Sequence, residues 1–256
     1  MNLVVTGSRG FLGTNFRNRV TGTGHSVIEV TRDDDWPRIT DKVQGADVVF
    51  HFAGVNRVPD DAEYETGNTQ LTQRLCAAMA GSRHPPAVVF ASSAQVTRGD
   101  NAYARSKLAA ENVVADYASS TGAKAWISRL PNVFGPWARP NYNSVIATYS
   151  FNISRGRQIE IHEPDRELKL VYVDDAVNCL LENAIGDAAT VARARGGAVA
   201  WVSVRPTYRI RLARLAELIG SLGAGRRELG DADPELLAKL GTTYDWYATN
   251  GGVFDD

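Results

Sequence analysis

The chain has 256 residues, 44% of them apolar, a formal net charge of −1 and two cysteines. That is enough apolar mass for one large α/β domain with a small lobe, and the near-neutral charge argues against nucleic-acid or anionic-membrane partners. No signal peptide or apolar run of membrane length is present, so a soluble cytoplasmic protein is expected.

Residues 3–6 read as a short buried strand and residues 11–20 as the helix after it. Residues 26–31 form a second strand. Residues 33–37, Asp-Asp-Asp-Trp-Pro, read as a turn with solvated charges. Only about 15 residues separate the second strand from Asp47, so the usual third strand of such a fold is expected to be reduced or missing. Strands follow at 47–52, 87–91 and 125–129, with helices at 63–80 and 103–119. Alternation of this kind predicts an α/β fold, a Rossmann-type doubly wound parallel sheet. After Gly135-Pro136 the pattern loosens. Helices are expected at 141–156, 175–184 and 210–219, strands at 158–162, 168–173 and 198–203, and a loop at 187–197. The expected division is a dinucleotide-binding domain of residues 1–136 plus about 168–186, and a small C-terminal substrate lobe of residues 137–167 and 187–256. Cys76 and Cys179 lie in apolar helix-like stretches and read as buried, unpaired thiols.

Residues 6–13, T-G-S-R-G-F-L-G, join the first strand to its helix. One glycine turns the chain, one lets backbone approach a pyrophosphate, and one lets helix sit on strand; the helix N-terminus then faces the phosphates. Gly7, Ser8, Arg9, Gly10, Phe11, Leu12 and Gly13 are therefore candidate cofactor contacts, with Phe52, Ala53, Gly54 and Leu130 at later strand ends. NAD-preferring folds place an acid at the end of the second strand. Here Thr31 occupies that place, Arg32 follows, and Arg9 sits in the glycine loop; two guanidinium groups suit a 2′-phosphate, so NADP(H) is the expected cofactor.

Tyr103 and Lys107 are four residues apart in Y-A-R-S-K and share a helix face. A phenol titrates near pH ~10 unless a neighbouring ammonium lowers it, so Lys107 is expected to bring Tyr103 down and to reach the nicotinamide ribose. A serine must hold the substrate oxygen. Ser93 is the choice and Ser92 the second choice, both closing the strand before the tyrosine helix. Asn56, Arg57, Asn132, Arg139 and Asn143 are candidate substrate contacts, with Trp137 and Tyr142 in the same loop as Arg139. His51 reads as a core histidine, Asn68 as a backbone-satisfying residue, and Asp174 and Asp175 as helix N-cap residues. No metal site is expected.

With these residues in view, the chain resembles the extended short-chain dehydrogenase/reductases of the nucleotide-sugar epimerase/dehydratase family. The matching runs are T-G-S-R-G-F-L-G, D-V-V-F-H-F-A-G at 47–54, G-N-T at 67–69, F-A-S-S-A at 90–94, Y-A-R-S-K, R-L-P-N-V-F-G-P at 129–136 and V-Y-V-D-D-A at 171–176. F-A-G-V-N-R at 52–57 and R-P-N-Y-N-S-V-I-A-T at 139–148 resemble the reductase half of bacterial capsular-polysaccharide nucleotide-sugar 4-ketoreductases. The resemblance implies NADPH-dependent reduction of the C4 keto group of a dTDP- or UDP-linked 4-keto-6-deoxysugar. It places Asn132 near the substrate diphosphate, and implies a homodimer packed through residues 63–80 and 103–119. Those capsule enzymes carry a C-terminal cupin domain. This sequence stops before one, so a stand-alone or truncated reductase is expected. The family arginine on the nucleotide phosphates falls at Leu168, with Arg166 two positions off. Where related dehydratases carry an Asp-Glu pair, Ala94 and Gln95 stand, which disfavours dehydration. A redox-neutral 4-epimerase with tightly bound NAD is the alternative, and a non-catalytic dinucleotide sensor a third reading.

Overall fold

The computed structural model describes residues 1–186 and 199–254. The chain divides into two compact units, Met1–Leu130 with Val177–Val204, and Pro131–Ala176 with Arg205–Asp256.

Among the described residues, the first unit holds a parallel sheet of β1 (Asn2–Thr6), β2 (Ser26–Val30), β3 (Val48–His51), β4 (Ala87–Ser93), β5 (Ala125–Leu130) and β8 (Val199–Trp201), in the order β2-β1-β3-β4-β5-β8. Val4, Val49, Val88, Phe90 and Ile127 are at most 1% exposed, because strands covered by helices on both faces need continuous apolar runs. The chain leaves β1 for β2 on one side and returns through α2 (Trp36–Gln44) to β3 on the other. This is the switch point at which such sheets bind ligands. The registers Thr6↔Val30 and Thr6↔His51 keep the carboxyl ends of β1, β2 and β3 level there, while β4, paired through His51↔Phe90, runs on to Ser93.

No strand lies between β2 and β3 among the described residues, in line with the short spacing. The expected turn at 33–37 is instead the start of α2. Asp35 caps it by accepting from the Arg38 amide at 3.0 Å, and Pro37 fits its first turn. Nor is Asp34 solvated. Its side chain is 6% exposed and takes bonds from the Thr31 amide at 2.8 Å and from Lys42 Nζ at 2.6 Å. These donors hold its carboxyl below the ordinary range.

The helical run expected at 63–80 contains α3 (Ala62–Tyr64), a π turn over Glu65–Gln70, and α4 (Leu71–Ala80). Helix α5 (Ala102–Thr121) starts at Asn101, whose side chain accepts from the Ala104 amide at 2.7 Å, and stops at Gly122 in the left-handed conformation, φ 71°. Its small buried residues Ala104, Ala110 and Ala118 present a flat face to the core.

The second unit pairs β6 (Asn132–Phe134) with β7 (Glu167–Tyr172) in parallel, and β7 with β9 (Tyr208–Arg211) antiparallel. Helix α7 (Val173–Ile185) begins in this unit. Helices α6 (Val145–Ser154), α8 (Leu212–Gly223) and α9 (Pro234–Asn250) build a core around Phe134, Ile146, Leu215, Ile219 and Leu240. Two expectations fail here. The run 158–162 forms no strand: Ile159 packs on the core, and the Tyr149 hydroxyl donates to the Glu160 carbonyl at 3.0 Å. The helix expected from residue 210 starts at Leu212, because Y-R-I-R alternates buried and exposed and joins the sheet as β9. The expected loop at 187–197 lies outside the described residues.

The compact units also divide the chain differently from the expected lobes. Residues 168–176 fall in the second unit, where β7 pairs with β6 and β9, and Val199–Trp201 falls in the first through its pairing with β5. Cys76 is buried, whereas Cys179 is only half-buried; neither forms a disulfide. Among the described residues, no helix is long and apolar enough to cross a membrane, and no acidic, His and Cys cluster suits a metal ion.

Candidate active site

The glycine loop follows β1 with little room to spare. Gly7 has φ +66°, and a Cβ there would lie 2.7 Å from the Ala53 amide nitrogen. A Cβ on Gly13 would lie 2.2 Å from the Gly7 carbonyl oxygen. The loop is thus drawn against both the end of β3 and its own helix, which only bare backbone permits. Helix α1 (Phe11–Val20) begins at Gly10 with no side-chain cap and no acid in its first turn, leaving its amide dipoles available to an anion. Ser8 is fully buried and directs its hydroxyl to the Val30 carbonyl at 3.5 Å, joining loop to β2. Phe11 and Leu12 are half-buried beside it. Phe52 stacks edge-on to Phe16 at 5.6 Å, and Leu130 is buried at the end of β5. These residues fit the pyrophosphate end of a dinucleotide: a tight glycine cradle and an open helix N-terminus.

At the ribose end the picture differs from expectation. Arg9 pairs with Asp33 at 2.6 Å, both side chains exposed, so an acid does stand near the glycine loop, two residues after Thr31. Thr31 is tied by its amide to Asp34, and Arg32 is exposed.

Ser92 and Ser93 part ways. The Ser92 hydroxyl donates to the Glu111 carboxylate at 2.5 Å. Ser93 Oγ accepts from the Gln95 amide at 3.2 Å and lies against the Tyr103 phenol. Lys107 is 6% exposed, donates to the Ala91 carbonyl at 2.8 Å and sits 4.1 Å from the Phe90 ring centroid. The structure therefore brings Ser93, Tyr103 and Lys107 to one strand end.

The expected lowering of the Tyr103 pKa does not occur. Burial raises it above the usual phenol value, the Ser93 hydroxyl pulls it partly back, and Tyr64, its ring 5.6 Å away, raises it again. Lys107 is itself driven down to about 7 by burial, so it carries less charge with which to stabilise phenolate.

His51 is 1% exposed and held neutral: burial pushes its pKa down to about 3. The Ala53 amide donates to Thr6 Oγ1 at 3.1 Å, and Thr6 lies 2.7 Å from His51 Nδ1. Thr72 donates to the Asn68 carbonyl at 2.7 Å, so its oxygen accepts from His51 Nε2 at 3.0 Å. The hydrogen bonds thereby assign the proton to Nε2. Asn68 accepts from the Val55 amide at 2.9 Å and donates to the Val55 carbonyl and to Ser106 at 2.9 Å. Ser106 donates to the Tyr103 carbonyl at 2.9 Å. A continuous polar chain thus runs from the glycine-loop strand to the tyrosine helix.

Asn56 and Arg57 lie in the exposed bend after β3. In the second unit Asn132 donates to the Lys169 carbonyl at 3.0 Å, using its amide for the β6–β7 pair. Arg139 is exposed with its guanidinium 5.8 Å from the Tyr142 ring centroid, and Asn143 is exposed nearby in sequence. Trp137 has φ 72°, a strained conformation for a bulky residue, and packs on Trp246 at 4.9 Å. Asp174 and Asp175 are not N-cap residues, since α7 starts at Val173. They sit in its first turn, and Asp175 takes the Lys239 ammonium at 2.6 Å. Arg166 pairs with Glu163 at 3.5 Å. A cavity of about 460 Å³ against α8 and α9, lined by Leu222, Arg227, Leu237 and Asp245, holds none of the residues above.

Residue-level reading of the sequence passed over Tyr64 and Glu111. Glu111 stands eight residues after Tyr103, a carboxylate on the helix face already marked by Tyr103 and Lys107, and that spacing was the available signal.

A reductase of Pseudomonas aeruginosa, UDP-2-acetamido-2,6-beta-L-arabino-hexul-4-ose reductase, is 34% identical over 233 residues, covering 91% of this chain and 60% of that protein. The chain thus spans about 60% of the length of this curated relative. The crystal structure of the capsular polysaccharide assembling protein CapF from Staphylococcus aureus matches with a TM-score of 0.80 at 31% identity, over 100% of this chain and 67% of that one. MoeE5 in complex with UDP-glucose and NAD shares the fold, with a TM-score of 0.80 at 23% identity over 99% of this chain and 100% of its own. A family model matches residues 3–184, a stretch that takes in the glycine loop, the carboxyl ends of β1–β5 and the tyrosine helix. The chain therefore belongs to the NAD dependent epimerase/dehydratase family.

Proposed function

We propose that the chain reduces the C4 keto group of a nucleotide-linked 4-keto-6-deoxysugar with NADPH. The observation that carries this reading is Ser93 against Tyr103, with Lys107 one helical turn on, at the carboxyl end of a sheet whose first loop is a glycine cradle. The 34% identity to a UDP-sugar 4-ketoreductase supports the same chemistry and favours UDP over dTDP. The first unit holds the dinucleotide through residues 7–13, Thr31, Arg32, Phe52–Gly54 and Leu130. From the first unit, Asn56 and Arg57 meet the nucleotide sugar.

When bound, the reduced nicotinamide supplies hydride to the carbonyl carbon. Ser93 donates a hydrogen bond to the substrate oxygen and fixes its position. Tyr103 is a phenol at neutral pH, because burial holds its pKa high, and it hands its proton to that oxygen as negative charge develops. Lys107 steadies the phenolate left behind and reaches the ribose hydroxyls.

For the 2′-phosphate, Arg9 exchanges Asp33 for the phosphate, and Arg32 joins it. Both partners of the Arg9–Asp33 pair are exposed, so the exchange costs about 1 kcal/mol or less. The enzyme works as a cytoplasmic homodimer. Binding titrations with NADPH and NADH test the cofactor assignment. Tighter NADPH binding is expected, with the preference reduced by Arg9→Ala; equal or reversed affinities would remove the NADP reading and leave the rest.

A further inference from the structure

Helix α5 carries a third ionisable side chain in line with Tyr103 and Lys107. Glu111 stands four residues beyond Lys107 and eight beyond Tyr103, so all three share one helix face. It is 3% exposed. A carboxylate that deep keeps its charge only if paired and hydrogen-bonded. Arg129 of β5 supplies both, through Nε at 2.9 and 3.2 Å and Nη2 at 2.6 Å, and Ser92 adds its hydroxyl at 2.5 Å. The guanidinium is one-third exposed and lies 4.8 Å from the Trp201 ring centroid, so part of its charge is solvated.

Ser92 sits between the two groups that matter at the strand end. Ala91 before it offers the carbonyl that takes the Lys107 ammonium, and Ser93 after it faces Tyr103. One carboxylate therefore grips the middle of a three-residue segment whose flanking members touch the proton donor and the lysine.

We propose that Glu111 is a positioning residue for the Ser93, Tyr103 and Lys107 group: it pins the carboxyl end of β4 to α5, and its negative charge favours the ammonium form of the buried Lys107 side chain. Burial alone works against that ammonium, and Glu111 pushes its pKa back up. The other titratable groups around Lys107 do not replace it. His51 of β3 is held neutral and couples to Lys107 only unfavourably, Tyr103 and Tyr64 are phenols, and Arg129 of β5 carries the wrong sign. Without a negative charge at residue 111, the Lys107 titration would fall further below about 7, and the phenolate left by Tyr103 would lose more of its counter-charge. This inference rests on the reductase reading for its consequence but not for its test.

The test is an NMR titration of the Lys107 side chain in protein labelled with carbon-13 at the lysine ε carbon, its resonance assigned with Lys107→Arg. Glu111→Gln keeps the shape and the acceptor for Ser92 but removes the charge. Glu111→Asp keeps the charge and shortens the reach. We expect the Lys107 titration to fall by about one pH unit or more in Glu111→Gln and to stay at the wild-type value in Glu111→Asp. An unmoved titration in Glu111→Gln, or an equal fall in both variants, would overturn the proposal, since a purely structural clamp is disturbed by both. Should Glu111→Gln not fold, Glu111→Asp decides alone: an unmoved titration supports the proposal and a fall overturns it. The measurement needs neither cofactor nor sugar, so the Lys107 result stands apart from whether any keto sugar is reduced.

Discussion

Two adjacent serines end β4, and their partners give them different duties. Ser92 is committed to a buried carboxylate, whereas Ser93 accepts from the Gln95 amide and meets the phenol. Ser93→Ala should lower kcat by roughly 10²–10³-fold, the usual loss for one donor at a developing oxyanion. Ser92→Ala should lower kcat far less and act mainly on stability, by roughly 1–3 kcal/mol, because it takes a donor from Glu111. Steady-state rates and urea unfolding of both variants check this; equal losses of kcat would contradict it. His51 sets a second residue-scale expectation. Its folded pKa of about 3 lies below the ordinary 6.5, so the unfolded state binds its proton first as pH falls. The stabilisation from a neutral His51 is complete above pH 6.5 and is lost as pH drops toward 3, by up to about 1.4 kcal/mol per pH unit. Urea unfolding across that range should show the slope, and His51→Gln should flatten it. An unchanged slope in His51→Gln would assign the acid sensitivity elsewhere.

At the scale of elements, the approach of α1 to β1 is the tightest constraint in the cofactor cradle. Gly13→Ala sets a Cβ against the Gly7 carbonyl and the Ser8 backbone, neither of which can swing away. It should destabilise the protein by roughly 1–3 kcal/mol or more and abolish dinucleotide binding. Gly22→Ala is the control. It has a left-handed backbone, φ +81°, which Gly13 does not, but nothing lies within 4 Å, so a cost of about 1–2 kcal/mol with cofactor binding retained is expected. Chemical denaturation and cofactor titration distinguish the two. Elements were legible where periodicity and punctuation agreed. The first sheet follows from apolar runs ended by glycine or serine, and α5 from an alanine-rich run with Asn101 before it and Gly122 after it. Elements were lost where tertiary context decides. Tyr208–Arg211 alternates like a strand but joins a helix without a break, and residues 158–162 alternate with no strand edge to meet. Helix α2 hid behind Asp-Asp-Asp-Trp-Pro, a run that serves equally as a turn or as a cap followed by a first-turn proline.

For the molecule as a whole, each compact unit has its own apolar core, one around the parallel sheet and one around Phe134, Leu215 and Leu240. The site in the first unit was legible because its residues sit at strand ends that sequence order and topology place along one edge of the sheet. The electrostatics were not legible. Spacing alone places a lysine beside a tyrosine, but only burial reveals that the phenol is raised and the lysine brought to about 7. Likewise Arg9 reads as a free cation until Asp33 is seen beside it. The central claim is that Tyr103 delivers a proton to a carbonyl oxygen as hydride reaches its carbon. The direct measurement combines the purified chain, NADPH deuterated on its transferable position, and a UDP-linked 4-keto-6-deoxyhexosamine. Loss of reduced-nicotinamide absorbance and deuterium in the sugar are followed together, in wild type and Tyr103→Phe. The account predicts one NADPH oxidised per sugar reduced, with the label on C4, and a loss of roughly 10²–10⁴-fold in Tyr103→Phe. Interconversion of a nucleotide sugar with no net consumption of NADPH, or reduction at an undiminished rate in Tyr103→Phe, would contradict it.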